Sequence, residues 1–516
     1  MAFEFMIFGA GPETAPGVRR WLDQPLSRAT KTLTLVGAIT LMALLAWAVG
    51  GPELGDASLS VYTTWLLAHA NLACAYPAGI ASPHAYVSSV LTSPLYPIFA
   101  ALLVDLLHIG QSVPFPSATA LGHACQNTLP ALDAWASRTN ALTRTEWLGI
   151  STWVALFTSL FTFLNVRGEF TRRNALALFV AGLGAPVYLA LMIYFHPQDL
   201  LAIAFIVFAL ASVRCNRWFT AGLTIGFGLL TQQFVVLAAI PLLVACPRNR
   251  LSRFILGAFM GFVPIALSLL ILTNGSALLP IILGSDRVIP GSGSGVISHG
   301  GTWLWELHLH GTSAFVLSRV MPLAMSLLIS VWGSRKWDVR NRPESMVALV
   351  GLSLSMRLVF EQNLFSYYFA AVFVALILVG VSLVSRVDFI ALWVALDFIG
   401  FETMQHIGSL WSLPITPSEE RIPAWLLTII LLALILVNLR DRRIILYQPV
   451  LLVGVVAMSH TLLWGRDALI AFVPYWILQL LLVPSAIAIF VNALGSSRTP
   501  PQPDNSAPIL AREVQG

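Results

Sequence analysis

Charge is what this chain has least of. Only 10% of its 516 residues are Asp, Glu, Lys or Arg, and lysine is almost missing, with Lys31 and Lys336 the two examples. A water-soluble domain needs far more charge to keep its surface wet, so that class is excluded. Cysteine is scarce too, at four residues, which rules out a disulfide-built fold. The glycine-rich run Pro290–Gly295 has no Gly-Lys-Ser/Thr ending and so is not a P-loop. The N-terminus has no short apolar stretch with a cleavage site, so no removable signal peptide is expected.

Apolar residues fill the space that charge leaves. They make up 57% of the chain, and the mean hydropathy is +0.81. A bilayer solvates such a chain, so the expected fold is all-α: a polytopic bundle of membrane-spanning helices. Runs of spanning length fall at 32–50, 147–166, 174–195, 199–213, 218–233, 234–247, 254–273, 313–333, 344–361, 363–384, 388–408, 424–439, 444–464 and 469–494. That is about fourteen transmembrane helices, within a membrane domain over 32–494.

The net charge is +5, but it does not point to nucleic acid, because the arginines sit in short clusters between apolar runs. Arg19, Arg20, Arg28 and Lys31 precede the first run. Arg167, Arg172 and Arg173 follow the second. Arg214 and Arg217, then Arg248, Arg250 and Arg253, then Arg335 to Arg342, continue at alternate connections. The positive-inside rule makes that side cytoplasmic, with residues 1–31 and the Pro/Ser-rich tail 495–516, expected to be disordered, on it. The chain then belongs in the cell (plasma or inner) membrane, with both termini inside. Residues 94–110 are apolar enough to cross, but a crossing there would move every later cluster outside. They are therefore expected as a helix at or dipping into the outer surface, and 51–146 becomes a long extracytoplasmic first loop with surface helices. A second long outer loop covers 274–312.

Polar groups gather on the predicted outer side. Asp56 comes shortly after the first span. His196-Pro197-Gln198-Asp199 and Thr231-Gln232-Gln233 form outer turns. Asp286-Arg287, His299, Trp303, Trp305, Glu306, His308 and His310 lie in the second loop. Arg357 and Glu361 sit near the outer end of one span, and Tyr367-Tyr368 opens the next. Each has a structural alternative. Asp56 is also suited to a solvated loop or a helix cap, and His196 and Asp199 to capping the turn before Pro197. Arg357 and Glu361, four apart, are also suited to an intramembrane ion pair. Tyr367 and Tyr368 also fit an interfacial aromatic belt. Asp397 and Glu402, inside a span, have no assigned role. His308 and His310 have no third ligand, so no metal site is indicated. Cys74 and Cys125 share the outer loop and are candidates for a disulfide, while Cys215 and Cys246 lie at cytoplasmic ends.

The order of these features resembles the GT-C superfamily of membrane glycosyltransferases. Gly55-Asp56, Tyr62, Trp65, Ala75-Tyr76-Pro77 and Ser93-Pro94-Leu95-Tyr96-Pro97 resemble the first loop of its polyprenyl-phosphate-sugar-dependent branch, nearest to actinobacterial mannosyltransferases of cell-envelope glycolipids. Phe195–Asp199 resembles a second element of such proteins. The likeness covers residues 32–250 and is topological beyond them. The first loop has no Asp-X-Asp pair and the chain no Trp-Trp-Asp, unlike the oligosaccharyltransferase branch, and no divalent metal or other cofactor is indicated. The resemblance implies a sugar donor on a polyprenyl phosphate and an acceptor hydroxyl on an extracytoplasmic glycolipid or glycan. It implies inversion at the sugar, with Asp56 as general base. Arg357, His196 and Arg287 would then face the leaving phosphate. Tyr62, Trp303 and Trp305 would stack on sugars, and Asp199 would orient His196 or hold sugar hydroxyls. Gln233, Tyr367 and His310 complete the expected site. A multi-span transporter or lipid flippase of the cell envelope is the competing reading, and a non-catalytic envelope scaffold is a third.

Overall fold

In hydrocarbon a backbone N–H or C=O finds no water, so each apolar run must pair its polar groups within itself, and helix is the way to do so. The computed structural model describes residues 21, 23–49, 94–106, 141–166, 170–192, 195–272, 311–337, 339, 342–361, 366–382 and 475–496, with single positions between 60 and 67. The described residues are mostly helical, without strands; one isolated bridge joins Pro25 and Thr171. The helices are α1 (Arg28–Val49), α2 (Leu95–Leu106), α3 (Ala141–Asn165), α4 (Arg172–Leu183), α5 (Ala185–Met192), α6 (Pro197–Arg214), α7 (Trp218–Leu229), α8 (Val235–Ala245), α9 (Arg248–Leu272), α10 (Gly311–Lys336), α11 (Pro343–Phe360), α12 (Ala370–Ser382) and α13 (Tyr475–Ser496). Among these residues, α6, α9 and the Val316–Lys336 part of α10 are long and apolar enough to cross a membrane. The expected spans at 388–408, 424–439 and 444–464 lie outside the described residues.

Three expected spans take a different form. The run 174–195 is broken at Gly184 into α4 and α5. Gly184 is extended (φ −59°, ψ 151°), its N–H closes α4 on Val180 O at 2.9 Å, and Pro186 lies in the first turn of the next helix. Proline has no N–H to continue the ladder, so the break falls just before it. The runs 218–233 and 234–247 shorten to α7 and α8, 12 and 11 residues long. At 1.5 Å per residue each covers roughly 17 Å, well short of a ~30 Å hydrocarbon core. Helix α2 sits on that shortened end: Leu95 N–H donates to Leu230 O at 3.1 Å. It buries Tyr96 and Ala100 and exposes Leu102 and Leu106. Beside it lies the far third of α9. An apolar groove of about 420 Å³ separates the two, lined by Ile98, Ala101, Leu102, Pro264, Ser268 and Leu272 among others.

Helix α6 is the interior element. It is 78% buried, against 17% for the spanning part of α9, which turns Ile255, Phe259 and Met260 outward. Its last turn meets a basic end of the bundle. There Arg214 donates to Phe163 O (3.3 Å), Lys31 to Asn165 Oδ1 (3.2 Å), and Arg173 pairs with Asp23 (2.8 Å). Its first turn, about 27 Å away, carries the polar residues considered below.

Helix α7 lies parallel to α9, with glycines at the crossing. A Cβ on Gly222 or Gly226 would run into Phe254 O or Ala258 O. One on Gly257 or Gly261 would meet Phe219 O or Leu223 O. Two Gly-x-x-x-Gly pairs thus face each other and let the backbones touch. Gly226→Leu is expected to destabilise the protein by about 1–3 kcal/mol through overpacking, read as a lower unfolding midpoint in detergent. Gly37→Ala, in α1 with nothing within 4 Å, is the control and should leave the midpoint unchanged or slightly higher.

A buried polar cluster as candidate functional site

The cluster is built where three polypeptide segments end at the same level. The first is the start of α6. Phe195 takes a left-handed backbone (φ 50°), which turns the chain so that His196 N–H reaches Ala190 O at 2.5 Å. Pro197 then occupies the first helical position, where its missing N–H costs nothing. His196 makes no side-chain cap bond. The capping role open to it from sequence is therefore not the one it takes. Instead Gln198 Nε2 donates to His196 Nδ1 (3.1 Å), which leaves the neutral imidazole's proton on Nε2.

Asp199 follows in the first turn of α6, where the helix dipole favours a negative charge. It is buried, with 4% of its surface exposed. Its carboxylate lies beside the Gln232 amide and within electrostatic reach of His196 and Arg357. Gln232 comes from the second segment, the turn between α7 and α8. The sequence pointed to Gln233. The turn gives the Asp199 contact to its neighbour, while Gln233 is half-buried with its carbonyl accepting from Val236 N–H (3.1 Å).

The third segment is the end of α11 and the 3-10 turn Ser366–Phe369. Arg357 Nε donates to Glu361 Oε2 at 3.0 Å, with 19% and 5% of the two side chains exposed. The guanidinium lies against two rings, 4.2 Å from the Tyr368 centroid and 4.9 Å from that of Phe234. Tyr368 meets Tyr367 edge-on (4.7 Å), and Tyr367 stacks on His196 (4.4 Å, 24°). A continuous aromatic ladder thus runs from Arg357 to His196. Tyr367 is 4% exposed, so it is packed inside the bundle rather than presented to an aromatic belt.

Two buried acceptors in this cluster, Asp199 Oδ1 and Gln198 Oε1, have no hydrogen bond among the described residues, and the Arg357 guanidinium donates through Nε to Glu361. Buried acceptors without partners are uncommon in folded proteins, and they mark places where a ligand or water belongs. The cluster therefore offers donors at one end and acceptors at the other.

Arg319 was not singled out by the sequence reading, although it is a lone arginine in an apolar run. Ser326 of α10 bonds Ser353 of α11, and Gly333 lies against Leu349, which fixes an antiparallel register. Seven residues back along α10 and seven forward along α11 bring Arg319 level with Phe360 and Glu361.

The structure thus brings together His196, Asp199, Arg357 and Tyr367 of the expected site. Asp56, Tyr62, Arg287, Trp305 and His310 lie outside the described residues, as do Cys74, Cys125, Asp397 and Glu402. Among the described residues no group of three or more His, Cys, Asp or Glu side chains is arranged to hold a metal ion. Compared with known proteins, the chain matches no family model, no curated protein and no solved structure.

Proposed function

We propose that the chain is a membrane glycosyltransferase of the GT-C kind. It moves a sugar from a polyprenyl phosphate to a hydroxyl of a glycolipid or glycan, at the outer face of the cell membrane. The observation that carries this reading is the Arg357 guanidinium. It lies against the Tyr368 and Phe234 rings, donates through Nε to Glu361, and stands within electrostatic reach of the buried Asp199 carboxylate. A planar fork of that kind suits a phosphate. The cluster also sits at the end of α6 away from the basic clusters, the end that the positive-inside rule turns outward.

The chemistry follows from what the leaving group needs. As the sugar–phosphate bond breaks, charge grows on the phosphate oxygens, and Arg357 lies ready to stabilise it without reorganising. His196 adds a donor through Nε2–H. The acceptor hydroxyl is a weak nucleophile at neutral pH and must lose its proton as it attacks. Asp56, from the first loop, takes that proton. Attack opposite the phosphate inverts the sugar. The groove between α2 and α9 supports the reading, because it offers apolar walls to a polyprenyl chain, and α2 itself starts against the Leu230 carbonyl, two residues from Gln232. The test is transfer of labelled sugar from polyprenyl phosphate to a lipid acceptor by the purified protein in vesicles. Lipid movement without sugar transfer would favour a flippase instead.

A further inference from the structure

Arg357 accounts for the donor end of the cluster but not for the acceptor end. Gln198 Oε1 and Asp199 Oδ1 are both buried, adjacent in the first turn of α6, and without a hydrogen bond among the described residues. Both side chains border the His196 ring, Gln198 by its hydrogen bond and Asp199 electrostatically. Two acceptors repel phosphate oxygens, so they are not part of an anion cradle. Arg357 disfavours a cation beside Asp199. What remains is a neutral ligand that donates hydrogen bonds, and a sugar ring linked to a phosphate presents such hydroxyls at the right end.

We infer that Gln198 Oε1 and Asp199 Oδ1 read hydroxyl groups of the transferred sugar, and so set which sugar the site accepts. This rests on the glycosyltransferase reading. The two acceptors are held by backbone, not by flexible loops: Phe195 in its left-handed turn, the His196 N–H bond to Ala190, and Pro197 at the helix start fix their direction. The stacked His196 and Tyr367 rings lie alongside and offer an apolar face to the ring C–H groups. A buried acceptor rejects a substrate lacking its hydroxyl because it is then left unpaired.

The experiment uses the full-length protein in vesicles with polyprenyl phosphates carrying mannose, glucose, galactose or arabinose. The best of these is then compared with each of its singly deoxygenated forms. In the unmodified protein, loss of a hydroxyl that is read should lower kcat/KM by about 10- to 100-fold. In Asp199→Ala or Gln198→Met the same deletion should cost nothing further, because its partner is already gone. Gln198→Met preserves side-chain volume and carries the test alone if Asp199→Ala does not accumulate. Full hydroxyl penalties persisting in the variants, or no hydroxyl mattering at all, would overturn the inference, since water alone would then satisfy the two oxygens. No transfer from any donor would instead overturn the glycosyltransferase reading beneath it.

Discussion

Arg357→Lys is expected to lower sugar transfer from a polyprenyl-phosphate donor by about a hundredfold while the protein still folds. Lysine keeps the charge, so Glu361, only 5% exposed, retains a partner. The losses are the planar fork and the contacts with the Tyr368 and Phe234 rings. Removing one preorganised donor from a developing oxyanion typically costs about 3–4 kcal/mol, which is roughly a hundredfold or more in rate. The effect should fall on kcat more than on KM, because the leaving phosphate gains charge only as the bond breaks. Arg357→Ala confounds two effects. It strands a buried carboxylate, at about 3–5 kcal/mol of stability, as well as removing the donor. The informative comparison is therefore lysine against arginine, with unfolding midpoints measured alongside. Transfer at the parental rate by Arg357→Lys would remove the guanidinium from the mechanism.

Asp56→Asn is expected to abolish transfer nearly completely, by about 10²- to 10⁴-fold, the range ordinarily supplied by a general base. The amide is nearly isosteric but cannot take a proton, so donor binding should survive. Binding and turnover are separable here by titrating the donor against tryptophan fluorescence and counting labelled product in the same preparation. Retained transfer would move the base role elsewhere. Asp199 is then the carboxylate to examine, since it is the one at the cluster with an unpartnered oxygen.

Some of this cluster was legible in the sequence because local rules fix it. Arg357 and Glu361 are four apart, so any helix through them brings the two together, and the 3.0 Å ion pair is that rule at work. His196-Pro197 marks a helix start because proline is favoured there, and α6 begins at Pro197. Mostly helical structure followed from hydropathy alone. Other features depend on geometry that spacing does not carry. Gln232 and Gln233 are equivalent as text, and only the turn between α7 and α8 gives one of them to Asp199. Arg319 reaches the cluster's level through an antiparallel register set by serines many residues away.

The break at Gly184 and the short α7 and α8 were hidden for a different reason. Hydropathy sums a window and does not register a single proline, and it extends a run to the edge of a polar turn such as Thr231–Gln233 without showing where the helix stops. The facing glycines of α7 and α9 are visible as Gly222-x-x-x-Gly226 and Gly257-x-x-x-Gly261, but a count of apolar length treats them as ordinary members of a run. Tyr367 shows the limit of composition in the other direction. A tyrosine at a span's start suits an interface, yet the stacked His196 ring and its 4% exposure make it part of the interior.

On the proposed function, this polar end transfers sugar rather than moving lipid. The most direct measurement follows two labels at once in vesicles holding the purified protein, one on the sugar and one on the polyprenyl chain of the donor. Sugar label is expected to appear on the acceptor lipid while polyprenyl label stays behind as free polyprenyl phosphate, and Arg357→Lys should suppress the separation. Both labels moving together across the bilayer, with no sugar on the acceptor, would contradict it.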